Sequence, residues 1–125
     1  MSRVPRRHQV ISASGAAITA SSTSSKLNNL NNVGPQTEME AILSCAGPVT
    51  GTTPSLTVSI YEVDPVTGLD VLMGSFTPVT GVLANPLRLP FNSLFGFQFH
   101  VGWVVSGTSP SFSGVELDLY HTPDI

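Results

Sequence analysis

Apolar and polar residues alternate along most of this chain beyond residue 36. In TEMEAILSCA, Met39, Ala41, Leu43 and Cys45 share one parity. In LTVSIYEV, Leu56, Val58 and Ile60 oppose Thr57, Ser59 and Tyr61. The longest regular run, FQFHVGWVV, sets Phe97, Phe99, Val101, Trp103 and Val105 against Gln98, His100, Gly102 and Val104. The last, GVELDLYH, sets Val115, Leu117 and Leu119 against Glu116, Asp118 and Tyr120. A period of two is the mark of a strand with one buried face. LDVLMGSF reads as a returning strand after the turn DPVTGLD, in which Asp64 is the turn-opening acceptor and Gly68 takes positive φ. PLRLPF, bounded by Pro86 and Pro90, suits a sheet edge, because proline donates nothing to a ladder. HQVISASGAAITA carries enough β-branched residues for one or two short strands split at Gly15. No window longer than ten residues keeps a helical period. The pattern predicts an all-β chain: an antiparallel β-sandwich, jelly-roll-like, of seven to eight short strands, with Phe97, Phe99 and Trp103 as the bulky centre of its core.

Residues 1–35 read differently from residues 36–125. The first stretch is an extended basic arm followed by the low-complexity SSTSSKLNNLNNVG, able to supply one or two strands; the second is the sandwich domain. Arg3, Arg6 and Arg7 crowd the start, whereas all eight acidic residues follow residue 37. An arm of that composition is ordered only when something holds it, and a neighbouring chain is the expected holder. Charged residues are 10% of the chain, against about 25% in ordinary soluble domains. Hydroxyl and amide side chains cost less to desolvate than charged ones, so a surface of this kind suits an interface. The acidic body opposes nucleic acid, and no apolar run approaches the ~18 residues needed to span a bilayer, so neither nucleic acid nor membrane is an expected partner.

Candidate chemistry is sparse. His8, His100 and His121 are scattered without metal-ligand spacing, and His100 falls on a polar strand face. GTSPSFSG does not match a nucleophile elbow. The pair Asp64 and Asp70 has Pro65 and Val66 where calcium ligands would fall. Glu116 and Asp118 share a strand face but show no partner that would raise either pKa, and the single Cys45 excludes an internal disulfide. No enzyme activity, cofactor or metal is expected.

One phrase occurs twice. VTGTTPSL begins at Val49 and VSGTSPSF at Val105, and each reads as a hairpin connection in which glycine permits a turn and Pro54 or Pro110 ends ladder pairing. The two hairpins would be related by pseudo-symmetry and present Thr52, Thr53, Thr108 and Ser109 as polar rims for contact. With the D-x-x-T-G turn, FTPVTG and WVVSGTSPSF, the phrases span residues 49–113 in an order and spacing that resembles small virion proteins of tailed bacteriophages. The chain departs from that pattern at DPVTGLDVLMGSF, where a tryptophan-bearing stretch is common, and in its arginine-bearing arm. The resemblance implies a structural β-sandwich, most simply a capsid decoration protein on the virion surface, made in the host cytoplasm. Its implied partners are the major capsid protein and further copies of itself, as a homotrimer. Arg3, Arg6 and Arg7 would pair with acidic groups of a capsid subunit or sister copy. The alternative is a tail- or fibre-associated adhesion module that binds glycans through Tyr61, Tyr120 or Trp103.

Overall fold

The computed structural model describes residues 6–23, 27–28 and 36–121. Among them the chain is all-β, in nine segments: β1 (Arg6–Ile11), β2 (Ser22–Thr23), β3 (Leu27–Asn28), β4 (Glu38–Cys45), β5 (Val49–Val63), β6 (Asp70–Ser75), β7 (Leu87–Asn92), β8 (Gln98–Phe112) and β9 (Val115–His121). Two antiparallel sheets form, one ordered β1-β9-β4-β7 and the other β2-β8-β5-β6, with β3 also laid along β8. When β2 and β3 are taken as one interrupted strand, first pairs with last, second with seventh, third with sixth and fourth with fifth. That is one long antiparallel ribbon wrapped on itself, a jelly roll, and it agrees with the expectation from alternation.

The wrap explains what each parity buries. Met39, Ala41, Leu43 and Cys45 from β4, Leu56, Val58 and Ile60 from β5, and Leu117 and Leu119 from β9 meet between the sheets and are all buried. Fully burying one such side chain contributes about 1.5–3 kcal/mol. Phe99 and Phe112 are the largest members of this core, with Phe76 packed among them. Phe97 differs from the expectation: it lies before β8 begins and is 48% exposed. Trp103 is partly buried at the margin of the core.

The innermost turn forms as its residues dictate. The Asp64 carboxylate accepts the Val66 N–H at 2.8 Å, the Gly68 N–H donates to the Asp64 carbonyl, and Gly68 sits at φ 72°. Of the amino-terminal segment the structure describes the residues from Arg6 on. Its described part is edge strand β1, held by β9 of the same chain through pairing from Arg6 with His121 to Ile11 with Leu117.

Candidate interaction surfaces

The two echoed phrases are opposite each other in one ladder, where the sequence suggested two separate turns. β5 and β8 pair from Val49 with Phe112 through to Glu62 with Phe99, so VTGTTPSL runs antiparallel to VSGTSPSF. Thr52 faces Thr108, and the register shifts on either side of that pair. On one side Gly51 lies opposite Ser109 and Pro110; on the other Gly107 lies opposite Thr53 and Pro54. Each phrase therefore supplies one bulge and the glycine on which the other phrase's bulge sits. The backbone repeats faithfully, with Gly51 at φ 114° and Gly107 at 109°, Thr53 at 46° and Ser109 at 47°. A Cβ on Gly51 would stand 2.8 Å from the Ser109 carbonyl oxygen, and one on Gly107 2.7 Å from that of Thr53. Only glycine allows the strands to approach so closely. Thr52, Thr53, Thr108 and Ser109 are brought together here and all are exposed.

The arginines are placed elsewhere. Arg3 lies outside the described residues, and Arg6 opens β1 opposite His121. Arg7 is on the outer face of the four-stranded sheet, with Nη2 3.1 Å from both Glu116 Oε2 and Asp118 Oδ1. Glu116 and Asp118 thus face a cation from the edge strand, which lowers carboxyl pKa values rather than raising them. Burial pushes the Asp118 carboxyl above the usual aspartate range, while a hydrogen bond from Asp118 holds Glu116 low. The two carboxyls are therefore not equivalent, one being more buried than the other. Arg88 on β7 donates from Nε to Glu40 Oε2 at 3.1 Å across the same face.

That face also carries a groove of about 570 Å³. Tyr120, Glu40 and Pro90 are direct neighbours across β9, β4 and β7 and form its floor. Glu38, Met39, Ile42, Phe91, Asn92 and His121 also line it. The His8 and His121 rings stack nearby, 5.1 Å apart and 11° from parallel, with His8 Nε2 3.2 Å from His121 Nδ1.

The outer face of the five-stranded sheet is different in kind. Thr57, Ser59 and Tyr61 of β5 stand beside Val104, Gly102 and His100 of β8. The Tyr61 ring covers Gly102, where an added Cβ would lie 3.1 Å from its Cε2. His100 is buried rather than exposed, because Tyr61 meets it edge-on and Asp70 Oδ1 lies 3.0 Å from its Nε2. Val104 and Leu72, the residue opposite Tyr61 on β6, are 63% and 58% exposed. No group of three or more His, Cys, Asp or Glu side chains that could hold a metal occurs among the described residues.

Glu62 is the polar residue that sequence reading passed over. It is fully buried and accepts the backbone N–H groups of Leu94, Phe95 and Gly96, the last at 2.8 Å. One signal was available, since Glu62 continues the core parity of Leu56, Val58 and Ile60. A carboxylate at such a position must find donors.

Together these features define a jelly-roll β-sandwich with one charged outer face, one hydroxyl-rich outer face and an exposed pair of bulges. No family model and no curated protein matches the chain. Among solved structures it is similar to a crystal structure of the Yersinia pseudotuberculosis-derived mitogen YPM, at 10% identity and a TM-score of 0.40, over 98% of this chain and 86% of that one.

Proposed function

We propose that the chain is a structural virion protein of the decoration type, which binds the capsid surface and bridges its subunits without performing chemistry. The observation that carries this reading is the outer face of the five-stranded sheet. It combines a regular strand scaffold, neutral hydroxyls at Thr57 and Ser59, and the exposed apolar side chains Val104 and Leu72. Such a surface loses little on desolvation and gains from apolar contact, as a repeated docking surface requires. The ordered resemblance of residues 49–113 to phage virion proteins supports the same reading, with the major capsid protein and sister copies as partners. Arg7 supports it less than the sequence suggested, because its charge is already matched within the chain.

Cryo-electron microscopy of particles reconstituted with the protein tests the proposal. The expected density lies on the head, with Val104 and Leu72 facing the shell. Val104→Asp should reduce occupancy several-fold without lowering the melting temperature, because the side chain is exposed. Full occupancy by that variant, or density on the tail, would reject this docking face or this location.

A further inference from the structure

We propose that the groove on the outer face of the four-stranded sheet is the receptor for the amino-terminal segment of a second copy, the stretch containing Arg3, Val4 and Pro5. This goes beyond the virion role and holds whether or not the protein decorates a capsid. Three observations on the molecule converge on that occupant.

The first is charge. The described residues place Glu38, Glu40, Glu116 and Asp118 on this face against only Arg7 and Arg88. Those two arginines are taken up by Glu116, Asp118 and Glu40, while Glu38 at the mouth of the groove is exposed and makes no ion pair among the described residues. A cation brought to the mouth therefore meets an unmatched carboxylate. The second is shape and polarity. Pro90, Phe91, Ile42 and the Tyr120 ring give the groove apolar lining beside Glu38 and Glu40, and its volume of about 570 Å³ suits a few residues of extended chain. An arginine followed by valine and proline offers the matching order of one charge and two apolar groups. The third is position. β1 begins at Arg6, opposite His121, at the end of the sheet where Glu38 also lies.

The sequence favours exchange over folding back. The residue before a proline is biased away from helical backbone toward extended backbone, so the sequence Val4–Pro5 works against a helical reversal of the segment onto its own face. Five extended residues reach up to ~17 Å, far enough to enter an abutting copy. Two copies related by a two-fold axis would each donate a segment and each receive one, which closes the assembly.

Sedimentation velocity of the full chain, over a concentration series at low and raised salt, tests this with a charge swap. Wild type should associate, more weakly at raised salt. Arg3→Glu and Glu38→Lys should each weaken association roughly tenfold, and the double variant should recover most of the loss. Arg3 lies outside the described residues, and Arg3→Glu read alone keeps the test if Glu38→Lys fails to fold. A chain that stays monomeric, association indifferent to both single variants, or a double variant that fails to recover would each overturn the proposal. So would a monomeric wild type whose groove amide signals shift on Arg3→Glu, since that places the segment on its own chain.

Discussion

The ribbon of β5 and β8 has two halves built from the same pair of strands. In one half, Leu56–Glu62 against Phe99–Val105, residues pair one to one, and Leu56, Val58, Ile60, Phe99 and Val101 are all buried. In the other, 49–55 against 106–112, two bulges interrupt the ladder and Thr50 to Thr53 and Ser106 to Ser109 are exposed. Flanking strands account for part of the difference. β6 pairs with β5 only from Ser59 to Val63, and β2 meets β8 at Gly102 and Trp103. Beyond them the described residues meet the ribbon edges at isolated points, among them the bridges from Val79 to Leu56 and from Ile18 to Phe112, the Phe76 N–H to the Val58 carbonyl and the Val105 N–H to Ser21 Oγ. Free edges invite pairing with other chains, and bulges twist them out of register for it. The regular half builds the core, and the bulged half is shaped against indiscriminate edge pairing while keeping hydroxyls on display.

The largest effect that would break this contrast lies at the end of the regular half. Glu62→Ala leaves three backbone N–H groups of 94–96 without their acceptor and should cost about 3 kcal/mol in denaturant unfolding. Glu62→Gln keeps one accepting oxygen and should cost less. If both variants unfold like wild type, the loop finds other acceptors and Glu62 is not its anchor.

Next come the glycines of the bulged half. Gly51→Ala and Gly107→Ala each drive a Cβ within 3 Å of opposing backbone at a φ that L residues rarely adopt. Each should lose about 2 kcal/mol. Because each glycine seats the other phrase's bulge, the two losses should be less than additive in a double-mutant cycle. Strict additivity would show that the bulges are independent.

A milder loss is expected from the glycine of the regular half. At Gly102 an added Cβ meets the Tyr61 ring, a side chain that can tilt, and no opposing backbone. Gly102→Ala should therefore cost about 1 kcal/mol or less, with near-ultraviolet circular dichroism reporting the displaced tyrosine. A cost equal to that of Gly107→Ala would erase the distinction between the halves.

This contrast also explains what could be read from residues alone. The regular half was legible, as were β4, β9 and the Asp64–Gly68 turn, because a strand with one buried face leaves its period in the sequence. The bulged half was misread, since Gly, Thr and Pro mark a hairpin turn and a bulge with the same chemistry. What decides between them is the residue opposite, and Gly107 lies 56 positions from Gly51 in the chain. The same separation hid the match of Arg7 to Glu116 and Asp118. Phe97 kept the correct parity but fell in the loop that Glu62 pins, before its strand starts. His100 kept the outward parity, and neighbours on β5 and β6 then covered it.

The smallest predicted effect reverses sign between the halves. Ser109 occupies φ 47°, a region that costs a non-glycine L residue about 1–2 kcal/mol. Ser109→Gly removes that cost from the folded state while increasing the entropy lost on folding by roughly 0.5–1 kcal/mol. The balance favours the variant by about 0.5 kcal/mol. At Thr57, whose place in the regular ladder opposite Val104 carries no such conformation, the glycine substitution has only the entropic cost and the lost packing of a half-buried side chain. Thr57→Gly should therefore destabilise by about 1 kcal/mol or more. Chemical denaturation of the two variants side by side decides the matter: opposite shifts of the midpoint support a stored strain confined to the bulges, whereas equal losses would mean that the left-handed residues rest there without cost.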